Sequence, residues 1–164
     1  MRNRKQTLAS EVLAALGARN WSLATAESCT GGGVGQALTA VPGSSKTYRG
    51  GIISYTNSVK SRLLGVSETM LQELGAVSGP VAEAMAQGAR EAVSADVAVS
   101  TTGLAGPGGD AFGNPVGTVW IGCAWPGGGK SVLCRFQGSR EEIREAACCR
   151  ALELLLEELQ GSFG

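Results

Sequence analysis

The sequence of 164 residues contains no histidine. This absence excludes Ser-His-Asp and Cys-His catalytic machinery and removes the commonest protein ligand of zinc. A hydrolase built from this chain must therefore use another base, such as lysine, tyrosine or a carboxylate.

Net charge and long apolar runs are also absent. The 14 basic and 14 acidic residues cancel, so no basic field favours a nucleic acid or an anionic membrane as a partner. No apolar run approaches transmembrane length, and the spacing of apolar residues between 8 and 16 predicts an amphipathic helix rather than a signal peptide. The five cysteines are odd in number and form no C-x-x-C pair, which favours a reducing cytoplasm.

Helical and extended patterns alternate along the chain. Helices are predicted at about 5–19, 31–41, 57–64, 67–75, 80–92 and 139–159. Strands are predicted at 21–27, 47–55 and 96–103, and a hairpin joins 116–125 to 130–136 around a turn at 126–129. With no linker or repeat, we expect a single domain over 1–164, an α/β fold layered α/β/α with a mixed sheet.

A glycine-rich turn at 24–35 joins the first predicted strand to the second helix. Backbone N–H groups and the helix dipole at such a turn favour an anion. Ser28 is therefore the candidate nucleophile, and Thr30, Gly31 and Gly32 are candidate substrate contacts. The alternative is that Thr30 only caps the helix and that the glycines allow close packing.

A second glycine-rich loop at 104–110 follows the strand 96–103. Because ligand crevices lie outside the carboxyl ends of strands, the two turns would form one cleft if they are neighbours. Thr102, Gly103, Ala105 and Gly106 are then candidate substrate contacts. Two ordinary surface loops are the alternative, and neither turn matches a nucleotide-binding fingerprint.

Tyr55 and Lys60 bracket the passage from the strand 47–55 to the helix 57–64. Both are expected at the same end of the sheet as Ser28. Poor solvation lowers the pKa of a lysine and frees its amine to accept a serine proton. The alternative for Lys60 alone is a solvated surface lysine.

Six segments occur in an order that resembles the CinA C-terminal domain family, the nicotinamide mononucleotide deamidases also called PncC. These segments are 26–32, 54–60, 65–66, 75–78, 103–107 and 115–119, and the resemblance runs from about Leu8 to Leu159. It implies a hydrolase that converts the amide of nicotinamide mononucleotide to the acid and ammonia, in pyridine nucleotide recycling. No cofactor or metal is expected, because an N–H nest and an arginine can hold the phosphate.

The resemblance also assigns roles to residues. Ser28 resembles the nucleophile, Lys60 its general base, and Tyr55 a supporting hydroxyl in the same pocket. Arg144 resembles a family arginine near the substrate, and the alternative is an exposed arginine that pairs with a glutamate of its own helix. Cys29 is intrinsically the better nucleophile, but successive extended residues face opposite ways, so the resemblance favours Ser28 with Cys29 packed behind it.

Other functions stay open. The chain could be a non-catalytic nucleotide- or phosphate-binding regulatory module linked to competence and DNA damage, or an amidase for a different nucleoside or pyridine amide. Many family members carry an N-terminal domain that resembles molybdopterin-binding proteins, with a metal-dependent pyrophosphatase activity, and we expect neither here. The expected partner is a small-molecule substrate, and Trp120 and Trp125 in the predicted hairpin are compatible with a homo-oligomer.

Overall fold

Five strands form one mixed sheet in a computed structural model that describes residues 3–161. In chain order they are β1 (Leu23–Glu27), β2 (Tyr48–Ile53), β3 (Val97–Gly103), β4 (Thr118–Trp125) and β5 (Gly128–Arg135). The spatial order is β2-β1-β3-β4-β5, in which β1 runs parallel to both of its neighbours. β4 runs antiparallel to β3 and β5. The carboxyl ends of β1, β2 and β3 therefore meet at one edge, where a crevice forms beside the central β1.

Helices cover both faces of this sheet. α1 (Arg4–Ala18), α2 (Gly33–Thr39) and α6 (Arg140–Gln160) pack on one face. α3 (Asn57–Leu64), α4 (Glu68–Leu74) and α5 (Gly79–Ala92) pack on the other. The predicted α/β/α layering with a mixed sheet is confirmed, while residues 1–2 and 162–164 of the expected domain lie outside the described residues.

The side-chain alternation of β1 divides the two cores. Leu23 contributes to the core under α1, α2 and α6, whereas Ala24 and Ala26 contribute to the core under α3, α4 and α5. All five residues of β1 are buried, as expected for a central parallel strand covered on both faces. If the extended backbone of β1 continues for one more residue, Ser28 points to the same face of the sheet as Ala24 and Ala26.

Several predicted boundaries shift by one or two residues, and two of these shifts change a turn. Gly31 and Gly32 have φ angles of 58° and 101°, so they precede α2 as a turn, and the helix begins at Gly33 instead of near residue 31. In the hairpin, pairing extends to Trp125 and Gly128. The turn is therefore Pro126 and Gly127 alone, shorter than the predicted 126–129.

The first turn of α6 is fixed by a capping box. The Ser139 side chain accepts a hydrogen bond from the Glu142 N–H, and the Glu142 carboxylate accepts one from the Ser139 N–H. This arrangement satisfies N–H groups that a helix start leaves unpaired, and it holds Arg140 at the edge of the sheet where the parallel strands end.

Within residues 3–161, no helix combines the length and the apolar character that crossing a bilayer requires. The cytoplasmic setting expected from the cysteines stays a prediction.

Candidate active site

Ser28 leaves the carboxyl end of β1 and keeps the direction of the strand. Its N–H donates to the carbonyl of Thr101 in β3 at 3.1 Å, which extends the parallel pairing by one residue. The side chain is 7% exposed. We call residues 28–35 the serine turn.

Lys60 reaches the serine from the first turns of α3, which follows β2. Its Nζ lies 3.0 Å from Ser28 Oγ, 2.8 Å from the carbonyl oxygen of Ser54 and 3.2 Å from that of Tyr55. The side chain is only 1% exposed, so the alternative of a solvated surface lysine is wrong. The structure thus brings together the two residues on which the predicted chemistry depends.

Burial lowers the pKa of Lys60 to about 8. The three oxygens around Nζ are neutral, so they compensate an ammonium charge less than a carboxylate would. A neutral amine has two N–H groups and one lone pair. With the carbonyls of Ser54 and Tyr55 accepting the two N–H groups, the lone pair is left for the hydroxyl of Ser28. The geometry therefore suits an amine that removes the serine proton.

Glu27 is the buried residue that sequence reasoning missed. Its carboxylate is 3% exposed and accepts from the N–H groups of Gly32, Val34 and Gly35 at 3.2, 2.9 and 2.9 Å. It also accepts from the Thr30 hydroxyl at 2.6 Å. An acid directly before a glycine-rich helix start is the signal that could have indicated this contact, because helix N-termini attract carboxylates.

The backbone N–H groups of the serine turn consequently form hydrogen bonds within the protein. Gly31 and Gly33 donate to the carbonyls of Ser28 and Thr30, so all five N–H groups from Gly31 to Gly35 have an internal acceptor. The expectation that these glycine amides hold a substrate anion is therefore corrected. Thr30, with its hydroxyl on Glu27 and Thr101, lies behind the serine with Gly31 and Gly32, outside the cavity lining.

Ser28 opens into a cavity of about 400 Å³. One wall is the segment that follows β3, residues 104–114, which we call the cavity loop. Thr102, Gly103, Ala105 and Gly106 all line this space, as predicted from the position of the loop. Thr102 is itself held by a hydrogen bond of 2.8 Å from its hydroxyl to the Ala76 carbonyl. The other lining residues are Cys29, Tyr55, Asn57, Lys60, Val77, Leu104, Gly108, Asp110, Ala111, Phe112 and Arg140.

Two arginines of α6 donate hydrogen bonds to backbone carbonyls of the two glycine-rich segments. Arg144 donates from Nε to the Cys29 carbonyl at 3.0 Å and from Nη2 to the Thr30 carbonyl at 3.4 Å, so it braces the serine turn from outside the cavity. Among the described residues no glutamate forms an ion pair with Arg144, and its contact with a substrate stays a prediction. Arg140, which sequence reasoning did not single out, lines the cavity instead.

Tyr55 and Arg140 meet at the mouth of the cavity. Arg140 donates from Nη1 to the Gly106 carbonyl at 2.6 Å and from Nη2 to the Tyr55 hydroxyl at 3.2 Å. The Tyr55 ring is exposed, and the residue contributes its backbone carbonyl to Lys60. The predicted supporting hydroxyl thus lies in the same cavity, held by Arg140.

Cys29 lies beside Ser28, but its thiol is a poor nucleophile at neutral pH. Burial raises the pKa of its thiol to about 11, so the nucleophilic thiolate is scarce at neutral pH. The cysteine is buried and contributes to the core under α1, α2 and α6, but it also lines the cavity beside the serine, so the expectation that it packs behind Ser28 is met only in part.

In the part of the chain that the structure describes, no group of three or more carboxylates and thiols is arranged to hold a metal ion. A reaction without metal stays a prediction.

Comparison with known proteins identifies relatives over almost the whole chain. A family model, the CinA C-terminal domain, matches residues 5–159. A CinA-like protein of Desulfotalea psychrophila is 48% identical over 151 residues, and one of Cyanothece sp. is 48% identical over 157 residues. The alignments cover 92% and 94% of this chain but 37% and 38% of those relatives, so the chain spans less than two fifths of their length.

Solved structures agree with this result. The competence damage-inducible protein A of Klebsiella pneumoniae superposes with a TM-score of 0.94 at 35% identity, over 97% of this chain and 99% of that one. A competence-damaged protein (CinA) superfamily protein of Escherichia coli superposes with a TM-score of 0.91 at 38% identity, over 93% and 89% of the two chains.

Proposed function

Because the chain belongs to the CinA C-terminal domain family, we propose that it is a metal-independent amidohydrolase. Its substrate is nicotinamide mononucleotide, and its products are nicotinate mononucleotide and ammonia, as in the recycling of pyridine nucleotides. The observation that carries the proposal is the 3.0 Å contact between Lys60 Nζ and Ser28 Oγ inside the cavity. A buried amine beside a hydroxyl is the arrangement that nucleophilic catalysis needs when histidine is absent.

The reaction begins with neutral Lys60. Its lone pair takes the proton of Ser28, and Oγ attacks the carboxamide carbon to give a tetrahedral intermediate. The Lys60 ammonium then gives its proton to the departing nitrogen, the C–N bond breaks, and ammonia leaves an acyl-serine. Water attacks this ester with Lys60 again as the base, and the acid is released with Ser28 restored.

The cavity loop is the better source of oxyanion donors. The glycine amides of the serine turn already have acceptors, whereas the amides of Ala105 and Gly106 have none among the described residues and both residues line the cavity. One such donor stabilises a tetrahedral oxyanion by about 3 kcal/mol in other hydrolases. We assign this role to the backbone at 105–106.

Arg140 is the cation best placed for the substrate phosphate. It lines the cavity and contacts only neutral oxygens, so its charge is available to an anion. The fork of a guanidinium suits bidentate contact with a phosphate. Arg144, by contrast, donates hydrogen bonds to two carbonyls of the serine turn. Its contact with the substrate stays a prediction.

The test is ammonia release from nicotinamide mononucleotide, with and without a chelator, for the wild type, Ser28→Ala and Lys60→Ala. Exposed Ser58 and Lys46 supply matched controls as Ser58→Ala and Lys46→Ala. We expect turnover in the wild type and both controls and none in Ser28→Ala or Lys60→Ala, each confirmed as folded by circular dichroism.

The rival functions predict other results. A regulatory binding module would bind the nucleotide tightly and release no ammonia in any variant. An amidase for another amide would hydrolyse a related pyridine or nucleoside amide with the same dependence on Ser28. Turnover that survives Ser28→Ala would contradict the mechanism.

A further inference from the structure

The cavity carries opposite charges on two of its walls. Arg140 begins α6 at one wall, and Asp110 lies on the cavity loop at another. Neither takes part in the ion pairs of the described residues. The Asp110 carboxylate accepts from neutral donors, among them the N–H groups of Phe112 and Asn114 and the Asn114 amide. Each charge therefore lacks a counter-ion that a bound molecule could supply.

Phe112 stands beside this carboxylate as an exposed aromatic ring. It lines the cavity, and 51% of the residue is exposed. The ring is nevertheless held in place. It packs on Gly75, where an added Cβ would lie 2.6 Å from the ring, and its own N–H is bound to Asp110 at 3.0 Å.

Desolvation acts to raise the pKa of Asp110, but hydrogen bonds from Asn114 and Phe112 outweigh it and lower the pKa. The carboxylate is thus negative over the whole neutral range. An aromatic ring and a carboxylate that line the same cavity both attract organic cations, the ring through its quadrupole and the carboxylate through its charge.

We propose that Phe112 and Asp110 form a cation subsite, which makes the cavity select pyridinium rings over neutral rings of the same shape. The inference rests on the proposed function, since nicotinamide mononucleotide carries a pyridinium at one end and a phosphate at the other. The subsite holds the charged ring while Arg140 faces the phosphate. The subsite and Arg140 together therefore recognise a molecule with a positive charge at one end and a negative charge at the other.

Turnover cannot test this preference, because the positive ring also activates the carboxamide for attack. Binding is measured instead. The Ser28→Ala protein is titrated by calorimetry with nicotinamide mononucleotide and with its 1,4-dihydropyridine form, whose ring is neutral and whose ribose and phosphate are identical. We expect the cationic form to bind about tenfold more tightly, the range of a desolvated cation–π contact with a neighbouring anion.

Two substitutions in that background locate the preference. Phe112→Leu keeps an apolar side chain without the ring quadrupole, and Asp110→Asn keeps hydrogen-bond capacity without the charge. Each is expected to reduce the preference to about threefold or less, whereas Glu73→Gln, at an exposed site outside the cavity, leaves it unchanged. Thermal unfolding checks that the loop variants keep the fold.

Equal binding of the two forms, failure to bind either, or a preference that survives Phe112→Leu would overturn the subsite. Hydrolysis is not measured in these titrations. A cation preference in a protein whose wild type releases no ammonia would contradict the proposed function alone. Turnover by the wild type without any cation preference would contradict the subsite alone.

Discussion

The serine turn and the cavity loop are both glycine-rich and leave parallel strands at the same edge of the sheet, yet they differ in what their amides bind. From Gly31 to Gly35 every N–H has an internal acceptor, and Glu27 supplies three of these contacts. In the cavity loop the amides of Ala105 and Gly106 have no acceptor among the described residues. The amides of the serine turn are therefore occupied by the chain's own groups, whereas those at 105–106 are available to a ligand.

Removing the charge of Glu27 tests this difference most severely. In Glu27→Gln the amide oxygen can still accept on one side, but the NH₂ group replaces the other carboxylate oxygen and faces at least one backbone N–H that now lacks an acceptor, so the turn that positions Ser28 shifts. We expect kcat for ammonia release to fall about 100-fold, the size of effect that a 1 Å misplacement can have. The free energy of unfolding, measured with denaturant, should fall by about 2–3 kcal/mol, the cost of a buried unsatisfied group.

The matched control is Glu141→Gln, which removes an exposed carboxylate from the first turn of α6. Its effect on stability should stay within about 0.5 kcal/mol, with kcat unchanged. Wild-type kcat in Glu27→Gln would mean that the serine turn holds its shape without the carboxylate.

Sequence reasoning placed Ser28 and Lys60 together because topology requires it. Both follow strands whose carboxyl ends meet at one edge, and strands and helices are readable from periodicity. The position of Glu27 before a glycine-rich helix start indicates a contact with that helix, but which N–H groups the carboxylate binds depends on where α2 begins. The choice between Arg140 and Arg144 was not readable either. The two lie about one turn apart on α6, and the packing of that helix decides which of them reaches the cavity.

The pH dependence of ammonia release distinguishes the two segments, because their ionisable groups titrate in different pH ranges. Lys60 contacts the serine turn and has a pKa of about 8, whereas the pKa of Asp110 lies below its usual 3.8. In the proposed mechanism the neutral amine is the active form, so activity is expected to be lost as pH falls through the pKa of Lys60. We expect kcat/KM to decrease about tenfold per pH unit below 8 and to level off above it.

Initial rates between pH 6.5 and 9.5 at constant ionic strength measure this limb. Over that range the cavity loop should contribute no ionisation of its own. A flat profile would show that Lys60 is not the proton acceptor, and a second limb that disappears in Asp110→Asn would show that the cavity loop titrates as well.

The smallest expected effects come from a pair of glycine substitutions. Gly32 has a φ of 101° and an added Cβ would lie 3.1 Å from Ile53 Cδ1, so Gly32→Ala should lower the free energy of unfolding by about 1–2 kcal/mol. Gly108 has nothing within 4 Å of an added Cβ and an ordinary φ. Gly108→Ala should therefore leave stability unchanged or raise it by about 0.4–1 kcal/mol, because alanine restricts the unfolded chain.

Denaturant unfolding of the two variants shows what the glycines contribute to each segment. A cost at Gly32 but not at Gly108 means that the serine turn needs glycine for its backbone conformation, whereas this position of the cavity loop does not. Equal costs would contradict that distinction. The difference between the two segments would then rest on Glu27 alone. Its carboxylate occupies the amides of the serine turn, and the cavity loop has no equivalent contact at the amides of residues 105 and 106 among the described residues.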